Sequence, residues 1–63
     1  MVFDLLIKYK DDNGGIVDKV ISCVSDYWFS SESNMFCFEK NNYKSYVPPE
    51  NIIYFGREFD WNN

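Results

Sequence analysis

Residues 14–30 read "GGIVDKVISCVSDYWFS", and this stretch decides between an all-β fold and a mixed one. Its apolar residues fall at helical spacing, along one side of a helix. They are Ile16, Val17, Val20, Ile21, Val24, Tyr27 and Trp28. The composition favours a strand, because five β-branched residues lie within nine positions and three aromatic residues follow. The sequence therefore predicts an extended segment, with a helix near 16–29 as the alternative.

A strand of this length has to change its inward face part-way. Val17 and Ile21 share one face of an extended chain, whereas Val24 and Trp28 share the other. A β-bulge or a sharp bend accommodates such a change. We therefore expect the chain to bend within this segment.

The residues before this segment predict a hairpin. Large apolar residues at 3, 5, 7 and 9 alternate with polar ones, and only Leu6 breaks the two-residue period of a half-buried strand. The sequence "DDNGG" at 11–15 follows, and Asn13-Gly14 supplies the positive φ values that tight hairpin turns require. The strand from residue 16 is then expected to pair back on the first.

The same turn has a second interpretation as part of a calcium loop. Asp11 and Asn13 are spaced as the first two ligands would be. However, Gly15 stands at the fifth loop position, and Ser22 stands where a bidentate glutamate is needed. A plain hairpin turn is the better prediction.

The second half of the chain predicts another hairpin and a last strand. The polar segment at 30–34 has the composition of a loop, and Asn41-Asn42 fits a two-residue turn between two short strands. Pro48 and Pro49 cannot donate ladder hydrogen bonds, so they end the strand in a tight turn or a single 3₁₀ turn. The final strand is expected in "IIYFGREF" at 52–59, with Gly56 marking a bulge or a close approach of backbone.

These elements predict a single all-β domain over residues 1–63, built from five antiparallel strands in a small curled sheet or barrel. The succession of hairpin, long bent strand, hairpin, proline turn and last strand resembles that of SH3-like barrels, in which a short turn before the last strand is common. The resemblance concerns the layout, and it implies no functional residue in this chain.

The composition argues against an enzyme and against a bound cofactor or metal. The chain contains no histidine, so neither of its two cysteines has an evident general base, and two thiols do not complete a zinc site. Glu58 and Asp60 lie at strand spacing and could share a proton, although a solvated strand face explains them as well. We predict no catalytic residue, no cofactor and no metal.

The cysteines and the termini indicate a cytoplasmic protein. Cys23 and Cys37 are too few for a secreted disulfide framework, and we expect both to be reduced and buried. The amino-terminal residues "MVFDLLIKYK" lack the basic leader of a signal peptide, and no apolar run is long enough to cross a membrane.

One stretch of the sequence fits a nucleic-acid-binding surface, but the charge of the chain argues against it. The stretch "KNNYKSY" at 40–46 interleaves Lys40 and Lys44 with Tyr43 and Tyr46, as single-strand-binding platforms do. Against this, the net charge is −4 and the chain has one arginine. The sequence also gives little support to mimicry of nucleic acid by the protein's carboxylates, since six basic residues are mixed with the ten acidic ones.

The surplus of aromatic residues is the strongest functional signal. Eleven of the thirteen aromatic residues lie between Tyr27 and Trp61, and a domain of this size has little core in which to bury them. We therefore expect a homodimer that also binds a larger host protein and blocks it, as small inhibitors from phages and mobile elements do against defence or nucleic-acid-processing enzymes. The expected partner-binding residues are Tyr27, Trp28, Tyr43, Tyr46, Phe55, Phe59 and Trp61. A small barrel that binds single-stranded nucleic acid is the alternative.

Overall fold

A computed structural model describes residues 1–61, which form six β-strands and one short helical turn. The elements are β1 (Phe3–Lys10), β2 (Ile16–Val24), β3 (Asp26–Ser30), β4 (Met35–Lys40), β5 (Tyr43–Val47), β6 (Ile52–Arg57) and α1 (Glu58–Trp61). The first sheet has the order β2-β1-β6 and the second sheet β3-β4-β5, with antiparallel pairing throughout. The all-β prediction is confirmed. The alternative of a helix near 16–29 is wrong, because residues 16–24 and 26–30 are strands.

The segment expected to be one long strand is two strands that lie in different sheets. Cys23 has a left-handed backbone (φ 60°), and the pairing of β2 with β1 shifts register opposite the same end. Ser25 donates both its N–H and its hydroxyl to the carbonyl oxygen of Glu39, at 2.9 and 3.1 Å. The predicted bend is therefore present, but it ends β2, and the strand count is six rather than five. Residues 1–61 form no closed barrel.

The first hairpin turn is held by the side chain of Asp11. Its Oδ1 accepts the N–H groups of Asn13 and Gly15 at 2.9 and 2.8 Å, and its carbonyl accepts the N–H of Gly14 at 3.1 Å. Gly14 alone takes the positive φ (81°), as in a three-residue loop that closes with a left-handed glycine. The carboxylate that suggested a calcium ligand thus caps the turn.

The remaining turns follow the predicted chemistry. Asn41 and Asn42 have φ values of 52° and 67°, so both central residues of the second hairpin turn are left-handed, as a type I′ turn requires. After the prolines, the N–H of Ile52 donates to the carbonyl of Pro49 at 3.2 Å. Asn51 is left-handed (φ 65°), and its carbonyl accepts the N–H of Lys10, which ties this turn to the end of β1.

The core between the two sheets is small. It is formed by Leu5, Ile7, Val24 and Phe38, with half-buried apolar residues around it. Cys37 is buried as predicted, but Cys23 is exposed, so the prediction that both thiols are buried is wrong for Cys23. Cys23 has a left-handed backbone and lies opposite the register shift between β2 and β1, so it is in an irregular part of the strand rather than at a regular inward-facing position.

The last strand ends earlier than predicted, at Arg57, because Tyr54 fixes a change of direction there. The phenol of Tyr54 donates to the carbonyl of Arg57 at 2.8 Å, and residues 58–61 form a helical turn. Glu58 and Asp60 therefore do not share a strand face. A Cβ atom on Gly56 would lie 2.8 Å from the Tyr54 hydroxyl, so this glycine marks the predicted close approach, made by a side chain rather than by backbone.

Candidate interaction surfaces

Tyr27 and Phe55, two of the predicted partner-binding residues, lie inside this chain's own core region. Phe55 stacks on Phe36 with ring centroids 4.8 Å apart and lies 6.3 Å from Tyr27. Tyr27 also meets Phe3 edge-to-face at 5.6 Å. Both side chains are half-buried and pack against the core cluster. Their first role is to join the two sheets.

Trp28 and Tyr46 lie together on the side of the second sheet that faces away from the core. Strand register places Trp28 beside Cys37 and Cys37 beside Tyr46. The next residue of β4, Phe38, points into the core, so these three side chains point to the opposite face of the sheet. Cys37 has no exposed surface although it is on the outer side, and Trp28 and Tyr46 are its cross-strand neighbours. We call Trp28, Cys37 and Tyr46 the outer row.

The charges beside the outer row are mixed. On the same face of the sheet, the next row of side chains places Glu39 between Asp26 and Lys44. This row carries two carboxylates and one ammonium group. The Lys44 ammonium lies 6.0 Å from the centre of the Trp28 ring, at the limit of a cation–π contact. The surface is therefore aromatic and mildly acidic, which suits a protein partner better than a phosphate backbone.

The strand β5 has exposed side chains on both of its faces. Tyr43 is 78% and Tyr46 56% exposed, and of the five residues only Val47 is partly covered. Within residues 1–61, β5 pairs with β4 on one side and with no strand on the other. The free side of β5 is thus an open sheet edge.

An open cleft of about 520 Å³ lies between the two sheets. Its floor is apolar and comes from both sheets, while its rim includes Lys19 of β2, Ser45 of β5, and Glu50 of the proline turn. The apolar floor residues are Ile7, Ile21, Phe38, Val47 and Ile52. The cleft opens beside the two edge strands β2 and β5, and sequence reasoning did not find it. The sequence feature that indicates the cleft is the pair Lys19 and Ser45, which are polar residues at inward-facing strand positions.

Phe59 and Trp61 belong to a separate surface on the first sheet. Trp61 packs against Tyr54 with ring centroids 4.8 Å apart, and the Lys8 ammonium lies 4.9 Å from the Trp61 ring centre. Lys8 also pairs with Asp18 at 2.7 Å. Phe59 is 68% and Trp61 44% exposed. The structure therefore does not bring these two residues together with the outer row.

Within 1–61 there is no group of three or more cysteine or acidic side chains that could hold a metal ion. Cys23 and Cys37 are both free thiols. No helix in the described part of the chain is long and apolar enough to cross a membrane.

Comparison of the chain with protein-family models, with curated proteins and with solved structures found no match.

Proposed function

We propose that this chain is a small non-enzymatic interaction protein that works as a homodimer and acts by binding and blocking a larger protein. The observation that carries the proposal is the outer row. Tyr46 is exposed and Trp28 is partly exposed after the core between the sheets is filled, and they flank a fully buried Cys37. Aromatic side chains fixed on a rigid sheet are typical anchors of protein interfaces.

The charge pattern suggests the kind of partner. The chain has a net charge of −4, and two carboxylates lie beside the outer row. A partner with an apolar patch and a basic rim would complement this surface. A phage or a mobile element could use such a protein against a host defence or nucleic-acid-processing enzyme in the host cytoplasm, where its two free thiols would stay reduced.

We also propose that the arrangement is an SH3-like barrel that is open on one side. The chain passes from the first sheet to the second at Ser25, and a tight turn precedes the last strand, as in that layout. The opening lies at the cleft, beside β2 and β5. Closure of this side would require a further strand or a partner surface.

Binding of single-stranded nucleic acid is the second candidate, because β5 and its turn expose two tyrosines beside two lysines. Tyr43 and Tyr46 are accessible for base stacking, and Lys40 and Lys44 lie on the same hairpin. Glu39 and Asp26 on the same sheet oppose phosphate. If the chain binds single-stranded nucleic acid, it should retard single-stranded oligonucleotides in a gel, and the retardation should be lost as the salt concentration is raised.

Capture from a bacterial lysate with matched variants tests the two functions. We expect the unmodified protein to retain one host protein in stoichiometric amount, and Tyr46→Ser to lose it. Val20→Ser is the control, since Val20 is an exposed apolar residue on the first sheet. Recovery of nucleic acid in place of a protein, together with a salt-sensitive gel shift, would overturn the proposal and support the alternative.

A further inference from the structure

The free edge of β5 presents a specific set of backbone groups. In a hairpin with a two-residue turn, the residues that flank the turn are hydrogen-bonded to each other, and such pairs then alternate along the strands. The flanking pair here is Lys40 and Tyr43, so Tyr43, Ser45 and Val47 bond to β4. The N–H and C=O groups of Lys44 and Tyr46 therefore point to the free edge.

We propose that β5 pairs antiparallel with β5 of a second copy, across a two-fold axis that passes through Ser45. The inference rests on the proposed homodimer and names its interface. In this register Lys44 of each copy lies opposite Tyr46 of the other, so the outward N–H and C=O groups of all four residues are used. Ser45 faces its own copy at the axis.

Two other symmetric registers of β5 against its copy are less favourable. An axis at Lys44 would set two lysines directly opposite each other, which is destabilising. An axis at Tyr46 would set Lys44 opposite Pro48, which has no N–H to donate and lies beyond the end of β5. The Ser45 register instead sets each Lys44 beside the Tyr46 ring of the other copy, and this pair is favourable.

The remaining sheet edges carry features that oppose such pairing. Edge β2 is interrupted by the left-handed Cys23, and edge β6 has a register break and leads directly into α1. At β3 the Asp26 carboxylate accepts the N–H of Tyr27 at 2.8 Å and places a charge at the edge. Bulges and charges of this kind are how proteins protect edges. By contrast, β5 pairs with β4 in unbroken register, and its one charged residue, Lys44, lies beside the Tyr46 ring of the other copy in the proposed register.

The dimer would also change the proposed binding surface. Pairing of the two β5 strands creates one sheet of six strands, so the outer rows of both copies lie on the same face. Tyr46, at the end of each row, would then lie near the centre of a single aromatic surface that contains Trp28 from both copies. The partner protein would meet a surface about twice as large as the one a monomer offers.

Disulfide trapping tests the register. In a Cys23→Ser background, which removes the exposed thiol, Ser45→Cys should give an oxidised dimer, because non-hydrogen-bonded pairs bring Cα atoms within disulfide range. Lys44→Cys is the matched control on the same strand, and it should cross-link at least about tenfold more slowly, since the two copies of residue 44 are offset beyond disulfide range. Equal cross-linking of both variants, or none, would overturn the proposed pairing.

Light scattering separates failure of this interface from failure of the homodimer. We expect the unmodified chain to be a dimer. Tyr46→Pro removes the ring and the outward N–H of Tyr46 but no hydrogen bond to β4, and it should raise the dimer dissociation constant at least about tenfold. Tyr46→Val keeps that N–H and should weaken the dimer less. A monomeric unmodified chain would refute the proposed homodimer itself. A dimer that persists in Tyr46→Pro, with no trapping through Ser45→Cys, would refute only the pairing of β5.

Discussion

Replacement of Gly56 by alanine is a direct test of how the last strand is joined to the helical turn. A Cβ atom at this position would lie 2.8 Å from the Tyr54 hydroxyl oxygen and 3.1 Å from the ring carbon that bears it. Contacts this short require a shift, so the Tyr54 ring has to move. Its movement would disturb the hydrogen bond to the Arg57 carbonyl and the contact with Trp61.

The expected cost follows from these two interactions. The hydrogen bond contributes about 0.5 to 1.5 kcal/mol and the ring contact a similar amount. The methyl group also reduces the conformational entropy of the unfolded chain. This effect stabilises the folded state by about 0.4 to 1 kcal/mol, because Gly56 does not have a left-handed φ that would strain alanine. We therefore expect Gly56→Ala to lower the free energy of unfolding by about 1 to 2 kcal/mol.

Urea unfolding followed by tryptophan fluorescence measures this change, and a double-mutant cycle assigns its cause. In a Tyr54→Val background the ring is absent, so Gly56→Ala should become neutral or slightly stabilising. Trp61, which packs against Tyr54, reports on the same region. If Gly56→Ala is equally destabilising in both backgrounds, or harmless in the unmodified chain, Tyr54 does not constrain Gly56 and our account of α1 is wrong.

Three further predictions concern the core, the second hairpin turn and pH. Phe55→Ala should lower the free energy of unfolding by about 3 kcal/mol, because Phe55 joins the two sheets. The control Val20→Ser should change it by less than about 1 kcal/mol, and urea unfolding measures both changes. Asn42→Gly should raise stability by up to about 1 kcal/mol, since glycine adopts the left-handed φ of 67° without strain; a lower thermal midpoint would contradict the type I′ turn. Burial, followed by the charge of Asp60 and the proximity of Tyr27, raises the pKa of Tyr54 above its ordinary value. The folded state thus favours the protonated phenol, so the stability that Tyr54 contributes is full below about pH 10 and is lost as the pH rises through the raised pKa. The difference in unfolding free energy between the unmodified chain and Tyr54→Phe should therefore narrow above about pH 10. A difference that stays constant with pH would contradict the raised pKa.

The local turn chemistry could be predicted from the sequence because it depends on neighbouring residues. Asn41-Asn42, the proline turn and Gly14 all show the expected backbone. The end of β6 could not be predicted, since it depends on the Tyr54 hydroxyl reaching a carbonyl three residues ahead. The cleft could not be predicted either, because it exists only where two separate sheets leave a gap.

The outer row, our proposed partner-binding surface, was the hardest feature to predict, because the bend at Ser25 determines which side chains of β3 point outward. Val24 lies in the core, as the expected change of face requires. Had regular alternation continued from Val24, Trp28 would also face inward. The break before β3 reverses the alternation again, so Tyr27 packs on the core and Trp28 lies beside Cys37 on the outer side. A single irregular step in the backbone thus moves the larger aromatic ring to the surface, and without that step the outer row would not form.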